Sequence, residues 1–157
     1  MVIDSKLYFL ACDSSHGDMK RYIIVSTASG LIFGLLDSLI NANPVAVNLF
    51  SVFSPIARAS INIPAGIIID LAYGFILAGL FLLLSKSLPW ETGLAKGISF
   101  ALFVWFLRVV MPALSQWMMF TIPAAALIYM LATGFFEMLV LGILYGTTLG
   151  SATPAAS

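Results

Sequence analysis

The sequence predicts an all-α integral membrane protein: four transmembrane helices arranged as two hairpins, with both termini inside. Three observations lead there. Of 157 residues, 61% are hydrophobic and only 9% charged, against about 25% charged in a soluble domain. With a mean hydropathy of +1.07, the chain lacks the polar surface that water would have to solvate. Its apolar residues gather in four stretches, each near the roughly 20 residues a helix needs to cross about 30 Å of hydrocarbon. Lysine and arginine are also unevenly shared among the connections.

The opening segment, residues 1–18, carries Asp4, Lys6, Asp13 and Asp18 around a short apolar patch, Leu7 to Cys12. A secretory signal needs a basic start and a longer apolar core. The segment reads instead as a flexible cytoplasmic extension or an upstream mis-called start, with Met19-Lys20-Arg21 opening the membrane domain of residues 19–150. Residues 151–157 read as a disordered tail.

The spans are predicted near residues 22–42, 64–85, 94–111 and 123–148. Lys20 and Arg21 precede the first, and Lys86 and Lys96 lie between the second and third. The first-to-second connection holds only Arg58, and the third-to-fourth holds no cation. Cations stay cytoplasmic, which puts both termini inside. Tyr22, Trp90 and Tyr145 then mark the inner interface and Trp117 the outer one.

The two outer connections are too apolar for free loops. Residues 44–62, with Val45, Val47, Leu49, Phe50, Val52 and Phe53, read as a short helix or re-entrant piece at the interface. Residues 112–123 read as a shorter version of it. A faint repeat relates Ile63-Pro64-Ala65-Gly66 to Ile122-Pro123-Ala124-Ala125, and Leu71-Ala72-Tyr73-Gly74-Phe75 to Leu131-Ala132-Thr133-Gly134-Phe135. The two hairpins would then be parallel repeats about an axis along the membrane normal, as in some transporters.

Lipid gives no hydrophobic drive between helices, so close packing at small residues takes its place. Ser26, Gly30, Gly34 and Ser38 recur every fourth residue in the first span. Gly66, Gly74 and Ala78 do so in the second, with Asp70 in the missing place, and Gly97 and Ala101 continue the pattern from Gly93 in the third. Gly142 and Gly146 face away from Glu137 and offer a face to a second copy or a partner subunit.

Four ionisable side chains interrupt the spans: Asp37, Asp70, Arg108 and Glu137. A charge near the bilayer centre costs about 2.5–3.5 kcal/mol on insertion scales, so these must face protein, water or an interface. Counted at 1.5 Å per residue, Asp37 and Asp70 share a height about 24 Å above the inner boundary, and Arg108 lies about 18 Å up. Arg108 is expected to pair with the aspartates. Glu137, expected lower and without a charged partner at its height, would hydrogen-bond locally, with Thr133 as a partner. Three carboxyls against one guanidinium form a polar cluster that is also a possible ion or proton site.

Zero net charge and the lack of a basic run exclude a nucleic-acid surface. A lone Cys12 and a lone His16 exclude a disulfide within the chain, a two-histidine haem and a three-histidine zinc centre. No cofactor or metal is expected, and no nucleophilic triad or phosphate-binding loop is present. The reading is of a bacterial inner-membrane protein in contact with lipid, non-enzymatic, acting as an accessory or scaffold subunit or an oligomer. The alternative is a small proton- or ion-coupled transporter or channel subunit. A third reading makes Asp37 and Asp70 the acid pair of an intramembrane aspartyl-type hydrolase.

Overall fold

The computed structural model describes residues 5–57, 60, 62–88 and 90–150, with side chains from Gly17 onward. The expected tail at 151–157, residues 1–4 and Arg58 lie outside the described residues.

Every element among the described residues is helical. Helix α1 runs Ser5–Ala42 and α2 Pro44–Leu49, followed by a 3-10 helix, Phe50–Ile56. Helix α3 is Ile63–Leu84 and α4 Gly93–Trp105; a π-helical turn, Phe106–Val110, joins α4 to α5, Met111–Met119. Helix α6 is Ala124–Thr148. Four stretches are long and apolar enough to span a bilayer: Gly17–Ala42, Ile63–Leu84, Gly93–Met119 and Ala124–Thr148.

The helix starts are written in the sequence. Asn43, Asn62 and Thr92 each cap the following helix, accepting the N–H of Val45, Ala65 and Ala95 respectively, which satisfies donors with no partner inside the helix. Pro44 and Pro64 stand in the first turns of α2 and α3, where the missing N–H costs nothing.

Only 22–28% of the most apolar window of each span is buried inside the chain. Ile24, Leu35, Ile68, Leu83 and Ile128 all point outward and are more than 60% exposed. An apolar surface this extensive calls for a lipid solvent, so the molecule is a multi-pass membrane protein.

The spans pack as two tight pairs, α1 with α3 and α4 with α6. In the first pair a Cβ on Gly30 would meet the Leu71 Cα at 2.8 Å, and one on Gly74 would run into the Ser26 carbonyl and the Gly30 backbone. In the second, Gly97 and Gly142 lie against each other's carbonyl oxygens, and Gly93 against that of Gly146. Glycine brings the backbones this near, and packing at that range is what holds helices together in lipid.

Three expectations are corrected here. Gly142 and Gly146 are buried against Gly97, Ala101 and Gly93, so this face is occupied within the chain. Gly66 meets nothing within 4 Å, and Ser38 is exposed, donating to the Gly34 carbonyl at 2.7 Å. The small-residue stripes thus continue past the point where the helices touch. The third span does not stop near 111: it runs to Met119, because the π-helical turn absorbs Pro112. A proline at 112 has no N–H for the Arg108 carbonyl and its ring crowds that oxygen. The wider turn, in which the Met111 N–H reaches back to the Phe106 carbonyl, relieves the conflict without breaking the helix.

Between the pairs, Val25, Phe33, Leu77, Phe81, Phe100, Val104, Met138, Leu141, Tyr145 and Leu149 form one core. Phe81, Phe100 and Tyr145 make an aromatic triangle with centroids 5.3–6.1 Å apart. This core fills the half of the bundle nearer Lys20, Arg21, Lys86 and Lys96, hereafter the cation end. There Tyr22 Oη also donates to the Phe75 carbonyl at 2.9 Å. Tyr22→Phe is expected to cost about 0.6 kcal/mol, the mean for interhelical bonds in membranes, read as a small shift in an unfolding titration in mixed detergent micelles.

Candidate functional site

Toward the opposite end the pairs part and leave a cleft of roughly 700 Å³. Asp37, Tyr73, Arg108, Gln116, Thr133 and Glu137 contribute its polar lining, and Phe50, Phe53 and Phe120 contribute aromatic wall. The volume suits a drug-sized molecule. The connection after α1 folds over this space. Ala46 of α2 is fully buried, Phe50 meets Tyr129 of α6 edge to face at 5.9 Å, and Tyr129 Oη donates to the Ile40 carbonyl at 3.0 Å.

At the base of the cleft, the Arg108 guanidinium donates through Nη1 to Glu137 Oε2 at 3.2 Å. Its Cζ lies 4.5 Å from the ring centre of Phe33 and 4.8 Å from that of Tyr73. A carboxylate and two aromatic faces thus enclose the cation, each ring worth about 0.5–2 kcal/mol. Arg108 side-chain exposure is 25% and that of Glu137 only 6%. Glu137 Oε1 is buried and has no hydrogen-bond partner.

This arrangement overturns the expected pairing. Glu137 was expected apart and Arg108 with the aspartates; the partner of Arg108 is Glu137. The error follows from which spans are neighbours: the third span packs against α6, which carries Glu137, while Asp37 and Asp70 sit on the α1/α3 pair. With α4 starting at Gly93 and α6 ending at Thr148, Arg108 lies about 22 Å and Glu137 about 16 Å from the cation end. The long arginine side chain covers the difference. Thr133 is not the partner of Glu137 either: its hydroxyl donates to the Tyr129 carbonyl at 2.8 Å and the Met130 carbonyl at 3.4 Å.

Asp37 lines the mouth of the cleft, exposed, and accepts from the Asn41 side-chain amide at 3.0 Å. Asp70 lies outside the lining, its carboxyl in the space that Gly34 leaves empty: a Cβ there would sit 2.6 Å from Asp70 Oδ2. Asp70 still feels the charges of both Asp37 and Arg108, and Glu137 those of Arg108, Asp37 and Asp70. No hydrogen bond joins Asp37 to Asp70.

Sequence reasoning missed Phe33 and Tyr73. Their signal was positional: Phe33 stands four residues before Asp37, and Tyr73 three after Asp70, on the same helix faces. Among the described residues no group of histidine, cysteine, aspartate or glutamate side chains could hold a metal ion. Comparison with protein-family models, curated proteins and solved structures found no match.

Proposed function

We propose that the protein is a small ion- or proton-coupled transporter subunit of the cell membrane, with Glu137 as the carboxyl that takes up the cation or proton. One observation carries this reading. A carboxyl at the base of an open cleft, about mid-span, has one oxygen held by Arg108 and the other, Oε1, buried without a partner. Leaving a buried acceptor unsatisfied costs about 1–3 kcal/mol, and ionisable groups at this depth belong to binding pathways or relays. Arg108 keeps the site in place as an internal counter-ion, and Asp37 and Asp70 add negative charge near the mouth.

The lysines and arginines supply an orientation. With Lys20, Arg21, Lys86 and Lys96 in the cytoplasm, the packed core closes the inner side and the cleft opens outward. One-sided access is the geometry of a transporter in one of its two states. The inner membrane of a bacterium fits this arrangement. The accessory or scaffold reading loses its main support, because the Gly142/Gly146 face is spent on α4. The hydrolase reading lacks a shared proton between Asp37 and Asp70, whose carboxyls have different surroundings.

The test is flux. Reconstituted in proteoliposomes with an internal pH dye, the protein is expected to change internal pH when a proton or alkali-cation gradient is imposed. Glu137→Gln, which keeps the shape and removes the charge, is expected to abolish the change. A wild-type protein that stays silent under every gradient overturns the proposal.

A further inference from the structure

We infer that the cleft binds an amphipathic organic monocation, for which the Arg108 guanidinium is the chain's own tethered stand-in. This rests on the reading of the cleft as a cation site and adds the chemical class of the ligand. The base already holds one organic cation in a box built of Phe33, Tyr73 and Glu137. A planar, weakly hydrated cation gains from aromatic faces and one carboxylate oxygen, and those are the groups provided.

An inorganic ion asks for something else. Calcium takes six to eight oxygen ligands and magnesium a tight octahedron, and the described residues gather no such set. The space of roughly 700 Å³ far exceeds a dehydrated ion and matches an organic molecule of drug size. Phe50, Phe53 and Phe120 give such a molecule an apolar wall, while Glu137 at the base gives its positive end a carboxylate. Charge agrees as well: two carboxyls, Asp37 and Glu137, line the cleft with one guanidinium, so a further monocation is attracted even with Arg108 in place. Asp37, at the exposed mouth, meets the ligand first.

The probe is tetraphenylphosphonium, measured by equilibrium dialysis on the full chain in detergent. Tetraphenylborate, of the same shape and opposite charge, reports simple partition into the micelle. Saturable phosphonium binding without matching borate binding is expected, weakened by methylguanidinium. Glu137→Gln is expected to weaken it about tenfold or more, as for loss of a charged contact. Asp37→Asn, at an exposed position where folding is not at stake, is expected to weaken it in a salt-dependent manner. Arg108→Gln, which removes the competing cation, is expected to strengthen it.

Equal binding of phosphonium and borate overturns the inference, as does phosphonium binding that both carboxyl variants leave intact. If phosphonium fails to bind while Glu137-dependent proton or alkali-cation flux persists, the ligand class is wrong and the transporter reading stands. If both fail, both fall.

Discussion

Replacing Arg108 with leucine is expected to lower the unfolding free energy by about 3–5 kcal/mol, the cost of stranding a buried partner charge. Glu137 is left with a side chain 6% exposed and neither oxygen bonded. The loss also removes the cation from between Phe33 and Tyr73. Glu137→Leu alone is expected to be similarly damaging, because the guanidinium then lacks the one carboxylate at bonding distance among the described residues. The double substitution is the informative one. A leucine pair restores neutrality at the same place, and paired apolar replacements of this kind are often neutral. Stability is therefore expected to return to within about 1 kcal/mol of wild type. The measurement is a double-mutant cycle in mixed micelles. Wild-type stability in Arg108→Leu would show that the ion pair contributes nothing.

Gly97→Val is expected to cost at least about 3 kcal/mol, the upper end for overpacking, and Gly142→Val the same. A Cβ on Gly97 would press on the Gly142 carbonyl and lie 2.9 Å from the Gly146 Cα; one on Gly142 would lie 2.6 Å from the Ala101 Cβ. Backbone atoms cannot rotate aside, so α4 and α6 must separate. Gly66→Ala supplies the contrast. Nothing lies within 4 Å of that position, and alanine favours a helix over glycine by about 1 kcal/mol. That substitution is expected to be neutral or stabilising in the same titration. Equal losses at Gly97 and Gly66 would refute the assignment of the close contacts.

The class of fold was legible because its signals are additive over many residues. Four apolar stretches of spanning length leave little choice, and spacing by four picked out Gly30, Gly74, Gly97, Gly142 and Gly146 as packing positions. Periodicity names a helix face but not what lies against it. Hence Gly66 and Ser38 were included wrongly, and Gly142 and Gly146 were assigned to an outside partner when Gly93, Gly97 and Ala101 cover them. The site was harder to read. The four ionisable residues were plain, but which of them meet depended on which spans pair, α4 with α6 and α1 with α3. Pro112 looked like a stop; the π-helical turn beside it extended the third span by eight residues beyond 111. Phe33 and Tyr73 carry no charge, and their one signal was their place on the helix faces of Asp37 and Asp70.

Glycine-mediated contact within each pair has a mechanical consequence. The α1/α3 and α4/α6 pairs are locked backbone against backbone, whereas the junction between them is made largely of side chains such as Phe81, Phe100 and Tyr145. Any large change of shape that spares the glycines must therefore run along that seam, with two stiff halves rocking about it. Arg108 bridges the seam from one half to Phe33 and Tyr73 of the other, and the Tyr129–Ile40 hydrogen bond crosses it too, so rocking would have to break both.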